Sequence, residues 1–134
     1  MKNDITVIFV SFHSDEIIEK SIATIDQEIQ IIVVENSRNL SLKTNLEKKY
    51  TNIKVVIPNE NLGNGAGINY GLKNTKTKYA LYLDVDTELY PDTIKNLILA
   101  AKEIKRFSIL APKINNFEYR NECYLESGDN KKYS

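Results

Sequence analysis

The stretch YALYLDVDTELYPDTI, residues 79–94, joins an apolar run to a predicted helix through two acidic residues. Its first five residues are apolar or aromatic, which is typical of a buried strand. Pro91 suits the first turn of a helix because its missing N–H has no helical partner there, and Asp92 favours the same helix end. The stretch therefore predicts a strand over 78–86 and a helix from Pro91 to about Arg106.

The same alternation of strand and helix extends in both directions from this stretch. Largely apolar runs predict further strands at 5–12, 29–37, 52–58 and 107–114. Helices are predicted between the strands, at about 15–27, around 42–50 and within the glycine-rich stretch 59–74. Near-continuous apolar strands that alternate with helices are typical of a parallel sheet covered on both faces. The 134 residues therefore predict one α/β domain.

Composition excludes several classes of protein. Eighteen basic residues balance eighteen acidic ones, so no overall field favours nucleic acid or an anionic membrane. The single cysteine, Cys123, excludes an internal disulfide and a cysteine-based zinc site, and we expect it to be inert. The N-terminal apolar run, about five residues long, is too short for a signal peptide or a membrane span. We expect a protein of the cytoplasm, including the cytoplasmic face of the membrane.

Polar side chains follow the predicted strands at their carboxyl ends, where open α/β sheets bind ligands. Asp84 and Asp86 are two residues apart, so on an extended backbone they project the same way. Paired carboxylates repel unless a cation compensates, and a hard cation such as Mg²⁺ or Mn²⁺, shared with substrate phosphates, is one interpretation. The other is a strand-to-helix turn whose acids cap the helix or are solvated.

Two other features have competing interpretations. The segment GNGAG does not fit the dinucleotide fingerprint, because Gly63 and Gly65 lead to Ile68 and the segment follows the third predicted strand. These glycines instead allow backbone to approach a ligand or a neighbouring strand. His13, the only histidine, is a candidate base or metal ligand, or it satisfies local backbone groups.

Five segments in series resemble the nucleotide-binding half of a family-2-type inverting glycosyltransferase with the GT-A fold. They are VSFHSDEIIEKSI, IIVVENSRN, NENLGNGAGINYGLKN, KYALYLDVDTELYPDTI and ILAPKI, in family order over about residues 5–114. The glycine-rich segment is similar in style to rhamnosyl- and galactofuranosyltransferase-like members. The resemblance implies that residues 1–114 form the nucleotide-sugar-binding half, and that 115–134 are a polar tail or the start of the acceptor half.

The resemblance also assigns roles to individual residues. It implies that Asp84-Val85-Asp86 is the family's D-x-D element, whose two aspartates bind Mg²⁺ or Mn²⁺ on the donor diphosphate. It further implies a nucleotide-sugar site formed by Ser11, Phe12, His13, Glu35, Asn36, Asn61, Gly63, Asn69 and Asp84. The implied acceptor is a glycan or a lipid-linked glycan, and no nucleic acid is implied.

The catalytic base that the family requires is not apparent in the sequence. After the fifth predicted strand the acidic candidates are Glu118, Glu122, Glu126 and Asp129. None is followed by the helix and acceptor framework that the resemblance implies. We therefore expect a fragment, truncated after the fifth strand, that binds a donor nucleotide, transfers sugar poorly and self-associates through an open sheet edge.

Two alternatives remain at this point. A haloacid-dehalogenase-type phosphatase has a D-x-D-x-T/V motif whose first aspartate, here Asp84, would be the nucleophile. The fifth position of that motif is Glu88 here, and the motif normally ends the first strand rather than the fourth. The other alternative is a nucleotide-binding module that performs no catalysis.

Overall fold

Four parallel strands form one sheet in this computed structural model, which describes residues 2–104 and 106–112. The strands are β1 (Ile5–Ser11), β2 (Gln30–Glu35), β3 (Ile53–Val56) and β4 (Tyr79–Leu83). The helices are α1 (Asp15–Ala23), α2 (Leu40–Lys49), α3 (Gly63–Lys73) and α4 (Thr93–Glu103). The predicted α/β class with a parallel sheet is confirmed.

The sheet lies between two layers of helices because its central strands are apolar on both faces. Alternate residues such as Phe9 of β1 and Val33 of β2 share a buried core with Ile18 of α1, Leu46 of α2 and Ile98 of α4. The other face is covered by α3. Burying an aliphatic or aromatic side chain of this size contributes roughly 1.5–3 kcal/mol, so this core dominates the stability of the fold.

Two glycines bring α3 unusually close to the sheet. A Cβ atom added at Gly71 would lie 2.6 Å from Cγ2 of Ile8, and one added at Gly67 would lie 2.9 Å from Cγ1 of Val10. Both distances are shorter than carbon atoms tolerate. Of the glycines in GNGAG, Gly67 therefore shows the predicted close approach to a neighbouring strand, and Gly71 adds a second position that the prediction did not include.

The order of the strands places a crevice beside β1. The strands lie in the order β3-β2-β1-β4, so the chain first moves outward from β1 to β3 and then crosses back to β4 on the other side of β1. In open α/β sheets ligands bind where the strand order reverses, beyond the carboxyl ends of the strands. That edge is reached by Ser11 at the end of β1, Glu35 at the end of β2 and Leu83 at the end of β4.

The predicted fifth strand is wrong for residues 107–112, which form neither strand nor helix. Among the described residues β4 pairs only with β1, so residues 107–112 do not add a strand to its outer edge. Pro112 also lacks an N–H for such pairing. Ile109 is 88% exposed, so the segment does not form a buried strand despite its apolar composition.

Other predictions fall outside the described residues. These include the end of the fifth strand at 113–114, the tail 115–134, Cys123, and the acidic candidates Glu118, Glu122, Glu126 and Asp129. Within the part of the chain that the structure describes, no helix has the length and apolar character needed to cross a membrane.

Candidate functional site

A buried polar pair lies where β1 and β2 end. Ser11 and Glu35 are opposite each other in the parallel register, and both side chains are fully buried. Within residues 2–104 and 106–112, neither the Ser11 hydroxyl oxygen nor Oε2 of Glu35 has a hydrogen-bond partner. A buried polar group left unsatisfied costs about 1–3 kcal/mol, so this pair is a place where a ligand or water would be stabilised.

The other carboxylate oxygen of Glu35 is held by Ser37. Oε1 accepts hydrogen bonds from the Ser37 hydroxyl and, at 2.7 Å, from the Ser37 backbone N–H. The Ser37 hydroxyl oxygen also accepts a 3.4 Å hydrogen bond from the backbone N–H of His13. Ser37 thus connects the loops after β1 and β2 and orients Glu35 so that Oε2 is the carboxylate oxygen without a partner in the described residues.

The loops after β1 and β2 both contain a residue with positive φ. His13 has φ 51° and Arg38 has φ 60°, values that residues other than glycine adopt only at some energetic cost. The two residues follow neighbouring strands at the same edge of the sheet, and both are exposed. Strained backbone of this kind clusters at functional sites, which makes this edge a candidate site.

Two aromatic rings are presented at the end of β1. The rings of Phe12 and His13 meet edge to face with 4.4 Å between their centroids, and Phe12 is 52% exposed. A half-exposed phenylalanine directly after Ser11 provides an apolar surface on which a flat ligand can stack.

Asn36 fastens the start of α3 to the end of β2. Its side-chain nitrogen donates to the carbonyl of Gly63 at 3.0 Å, and its side-chain oxygen accepts from the N–H of Leu62 at 3.3 Å. Only 3% of Asn36 is exposed, so both ends of its amide are engaged within the protein. The side chain therefore fixes the glycine-rich loop against the strand ends.

The start of α3 has its own internal hydrogen bond. Oδ1 of Asn61 accepts from the N–H of Gly63 at 2.9 Å, and Gly63 has φ 69°, which favours glycine. At both Gly63 and Gly65, no atom of the described residues lies within 4 Å of an added Cβ. Asn69, one turn further along α3, is exposed. The first turns of α3 therefore leave open backbone beside the strand ends.

Asp84 and Asp86 lie in a turn instead of on an extended strand. β4 ends at Leu83, and the Thr87 N–H donates to the Asp84 carbonyl at 3.0 Å, which closes a turn. The premise of an extended backbone over 84–86 was therefore wrong. Both carboxylates are nevertheless exposed, while Val85 between them packs against the core.

Helix α1 holds this turn in place. The Ser21 hydroxyl, which is fully buried, donates to the carbonyl of Val85 at 2.6 Å. Thr24 Oγ1 accepts from the N–H of Leu89 at 3.1 Å. The segment that carries the two aspartates is thus held by hydrogen bonds at Val85, between the aspartates, and at Leu89, after them.

Tyr82 contacts Asp84 directly. Its hydroxyl donates to Oδ1 of Asp84 at 2.5 Å and lies 2.9 Å from Oδ1 of Asn64 in the first turn of α3. Burial of Tyr82 and its hydrogen bond to the Asp84 carboxylate raise the pKa of Tyr82 to about 12, with a smaller contribution from the charge of Asp86. The hydroxyl therefore keeps its proton at neutral pH, and both carboxylates are close enough to influence it.

The two aspartates do not form a complete protein metal site. No group of three or more His, Cys, Asp or Glu side chains converges on a common point in the described residues. Two exposed carboxylates fit a hard cation that takes its remaining ligands from water and from substrate phosphates. Asp84 and Asp86 therefore suit a site completed by a ligand.

The structure brings most of the predicted site residues to one edge of the sheet, and three additional residues belong to it. Ser37 contacts Glu35, Tyr82 contacts Asp84 of the D-x-D turn, and Asn64 contacts Tyr82. Tyr82 could have been found from the sequence because residues two apart on a strand share a face, and Asp84 follows it by two. The contacts of Ser37 and Asn64 depend on loop geometry that carries no such signal.

Comparisons with known proteins identify a family and similar folds. The family model described as glycosyl transferase family 2 matches residues 6–128. The structure of S. aureus TarS 1-349 is 23% identical with a TM-score of 0.63, and the match covers 75% of this chain and 32% of that one. A longer S. aureus TarS structure is 24% identical with a TM-score of 0.60, covering 75% of this chain and 20% of that one.

A third structure is the mannosyltransferase PcManGT from Pyrobaculum calidifontis in complex with GDP-Man and Mn²⁺. It is 18% identical with a TM-score of 0.63, and the match covers 71% of this chain and 31% of that one. A search of curated proteins gave no match. This chain spans about a third or less of the length of these three structures, which agree with a GT-A fold. Because the family model covers most of its length, the chain belongs to glycosyl transferase family 2.

Proposed function

We propose that this chain binds a nucleotide-diphosphate sugar at the carboxyl edge of its sheet, as the donor-binding part of a glycosyltransferase. The observation that carries the proposal is the placement of acidic groups on both sides of β1. Glu35 lies at the end of β2, and Asp84 and Asp86 follow β4. Two strand spacings separate β2 from β4, about 10 Å, which is comparable to the extent of a nucleotide from its base to its phosphates.

The Glu35 end of the site suits a nucleobase. Oε2 of Glu35 and the hydroxyl of Ser11 are buried without partners in the described residues, and a base provides N–H and carbonyl groups that would satisfy them. The exposed ring of Phe12 is available for stacking against the flat base. His13 follows in the same loop and would border the nucleotide.

The Asp84 end of the site suits the diphosphate. Two exposed carboxylates attract a divalent cation, and oxygen ligands favour Mg²⁺ or Mn²⁺. Such a cation, when bound, neutralises charge on a departing diphosphate. The presence of GDP-Man and Mn²⁺ in the Pyrobaculum mannosyltransferase supports the proposal of a nucleotide sugar and a metal here.

The start of α3 would border the donor between these two ends. Asn61 precedes this helix and accepts from its first N–H at Gly63, Asn69 is exposed one turn and a half further along, and Asn36 positions the helix through its amide. An absent Cβ at Gly65 leaves room for a sugar or phosphate to approach the backbone. We propose residues 1–114 as the donor-binding half, with the remaining residues belonging to a tail or to the acceptor half.

Sugar transfer additionally needs an acceptor and a base that deprotonates the acceptor hydroxyl. We assign no described residue to that role. The donor sugar, the rhamnosyl or galactofuranosyl style, a glycan or lipid-linked acceptor, and self-association through the outer edge of β4 stay predictions. Family membership favours glycosyl transfer over the phosphatase alternative. A nucleotide-binding module without catalysis would bind the donor and fail to turn it over.

The test is calorimetric titration of the chain with UDP, GDP and dTDP, each with and without Mn²⁺. We expect one nucleotide to bind in a metal-dependent way. Asp86→Ala should abolish the metal dependence, and Glu35→Gln should weaken binding of the base. Glu88→Ala is the matched control, because it removes an exposed carboxylate two residues further along the same loop.

Three results would contradict the proposal. The first is a folded chain that binds none of the nucleotides with Mn²⁺, and the second is equal binding by the wild type and Asp86→Ala. The third is a covalent phosphate on Asp84 after incubation with a phosphoryl donor, which would favour the phosphatase alternative.

A further inference from the structure

We propose that Tyr82 is a positioning residue that orients the Asp84 carboxylate for binding the metal–nucleotide complex and couples it to the first turn of α3. The proposal rests on the function proposed above, since it assigns a role within the same site. It adds a residue that lies outside the D-x-D element and the glycine-rich stretch.

One carboxylate oxygen of Asp84 already accepts a hydrogen bond within the protein. The Tyr82 hydroxyl donates to Oδ1 of Asp84 at 2.5 Å, the short distance expected of a hydrogen bond to a carboxylate. Asp84 is exposed at the end of β4, where its side chain would otherwise sample several rotamers. Fixing Oδ1 therefore fixes the direction in which Oδ2 is presented to a ligand.

The second contact of Tyr82 extends the arrangement to α3. Oη of Tyr82 lies 2.9 Å from Oδ1 of Asn64. A phenol has one proton to donate, and the charged carboxylate is the stronger acceptor, so the proton lies toward Asp84. Turning the Asn64 amide over then places its NH₂ group against the phenol oxygen. The chain of contacts runs from the glycine-rich helix through Tyr82 to the D-x-D turn.

The rest of Tyr82 is placed to keep this hydroxyl in position. Tyr82 is paired in the β4–β1 register with Ile8, whose side chain lies against Gly71 of α3. The ring is half-buried on the sheet face that α3 covers, while its hydroxyl reaches the exposed edge. A strand residue is a more rigid support for a carboxylate than a loop residue would be.

The experiment measures Mn²⁺ affinity in Tyr82→Phe, which keeps the ring and removes only the hydroxyl. Free Mn²⁺ is followed by electron paramagnetic resonance in the presence of UDP, GDP or dTDP. Residues that orient a metal-binding side chain typically change metal affinity by roughly 10–100-fold, and we expect about a tenfold loss here. Tyr79→Phe is the matched control, since it makes the same substitution in the same strand.

A double-mutant cycle separates positioning from general structural damage. If Tyr82 acts through Asp84, Tyr82→Phe should cause no further loss in an Asp84→Ala background. Asn64→Ala provides a second variant on the exposed side of α3 and should give a smaller loss, about threefold, in the range of one lost neutral hydrogen bond.

The outcomes distinguish this proposal from the function on which it rests. If the wild type binds Mn²⁺ with a nucleotide and Tyr82→Phe binds equally well, the positioning role is refuted and the proposed function stands. A loss that persists fully in the Asp84→Ala background also refutes it, because the hydroxyl would then act elsewhere. If the wild type binds no Mn²⁺–nucleotide complex, the proposed function fails and this inference fails with it.

Discussion

Replacing Gly71 by alanine should destabilise the protein, although alanine is normally the better residue inside a helix. The added Cβ would lie 2.6 Å from Cγ2 of Ile8 and 3.3 Å from Cγ2 of Val34, whereas ordinary contacts of this kind begin at 3.4 Å. Ile8 and Val34 are both fully buried in the sheet. Each Cγ2 atom is attached directly to Cβ, so the side chain cannot swing away without a change of rotamer or a shift of backbone.

Two opposing effects determine how much unfolding free energy Gly71→Ala loses. Overpacking a filled core costs about 1–3 kcal/mol, and replacing a helical glycine by alanine returns roughly 1 kcal/mol. The net loss of unfolding free energy should be about 1–2 kcal/mol, since the overlap at Ile8 is large. For a domain of this size the melting temperature should fall by roughly 4–8 °C.

The matched control is Gly65→Ala in the same helix. No atom of the described residues lies within 4 Å of a Cβ at that position, so alanine there should raise the unfolding free energy by about 0.5–1 kcal/mol. Urea unfolding followed by circular dichroism measures both variants, with an unchanged slope expected for each. The packing argument is refuted if Gly71→Ala is as stable as the wild type, or if Gly65→Ala is destabilised to the same extent.

Three further substitutions test the anchoring, the stacking surface and the charge balance. Ser21→Ala should cost about 1–2 kcal/mol of unfolding free energy and speed amide exchange around Val85, because that carbonyl loses its buried donor; unchanged exchange would contradict this. Phe12→Ala should weaken nucleotide binding by roughly tenfold in calorimetry if the ring stacks on the base; equal affinity would exclude stacking. The pKa of Glu47 is set by opposing effects. Partial burial of Glu47 raises it, but hydrogen bonds from Lys43 and from a backbone N–H of β3 lower it to below 4.5. Glu47 therefore stabilises the fold above pH 4.5 and loses this effect as pH falls through its lowered pKa. The stability difference between wild type and Glu47→Gln should be present at pH 7 and vanish in acid; a difference that persists in acid would contradict the assignment.

The central strands β1 and β2 were predictable because both of their faces are buried, which leaves a continuous apolar run in the sequence. The same composition misled at 107–112. Phe107 and Ile109 have the residue types of a buried strand, but the segment does not pair with the outer edge of β4, and strand pairing depends on more than local sequence. Composition indicates whether a segment tends to be buried, and it does not show whether the segment pairs with a neighbouring strand.

The sequence was sufficient to predict that the site lies at the carboxyl ends of the strands. Parallel strands have their carboxyl ends at one edge, so Glu35 and Asp84 could be brought together from topology alone. The local geometry was not predictable in the same way. Residues 84–87 form a turn because Val85 is drawn into the core and its carbonyl accepts from Ser21, a contact between residues 64 positions apart. Such long-range contacts decide which atoms remain available to a ligand.

The most direct test of the account is where a bound Mn²⁺ lies relative to the sheet. We would record amide NMR spectra with GDP, UDP or dTDP and increasing Mn²⁺, because the paramagnetic ion broadens nearby signals. The account predicts that signals around 84–88 and 61–65 broaden first, and only when the nucleotide is present. The acidic residues Asp26 and Glu28, which lie before the amino end of β2 and contact Lys2, serve as the internal control. Broadening that begins at Asp26 and Glu28, or that ignores the nucleotide, would contradict the account.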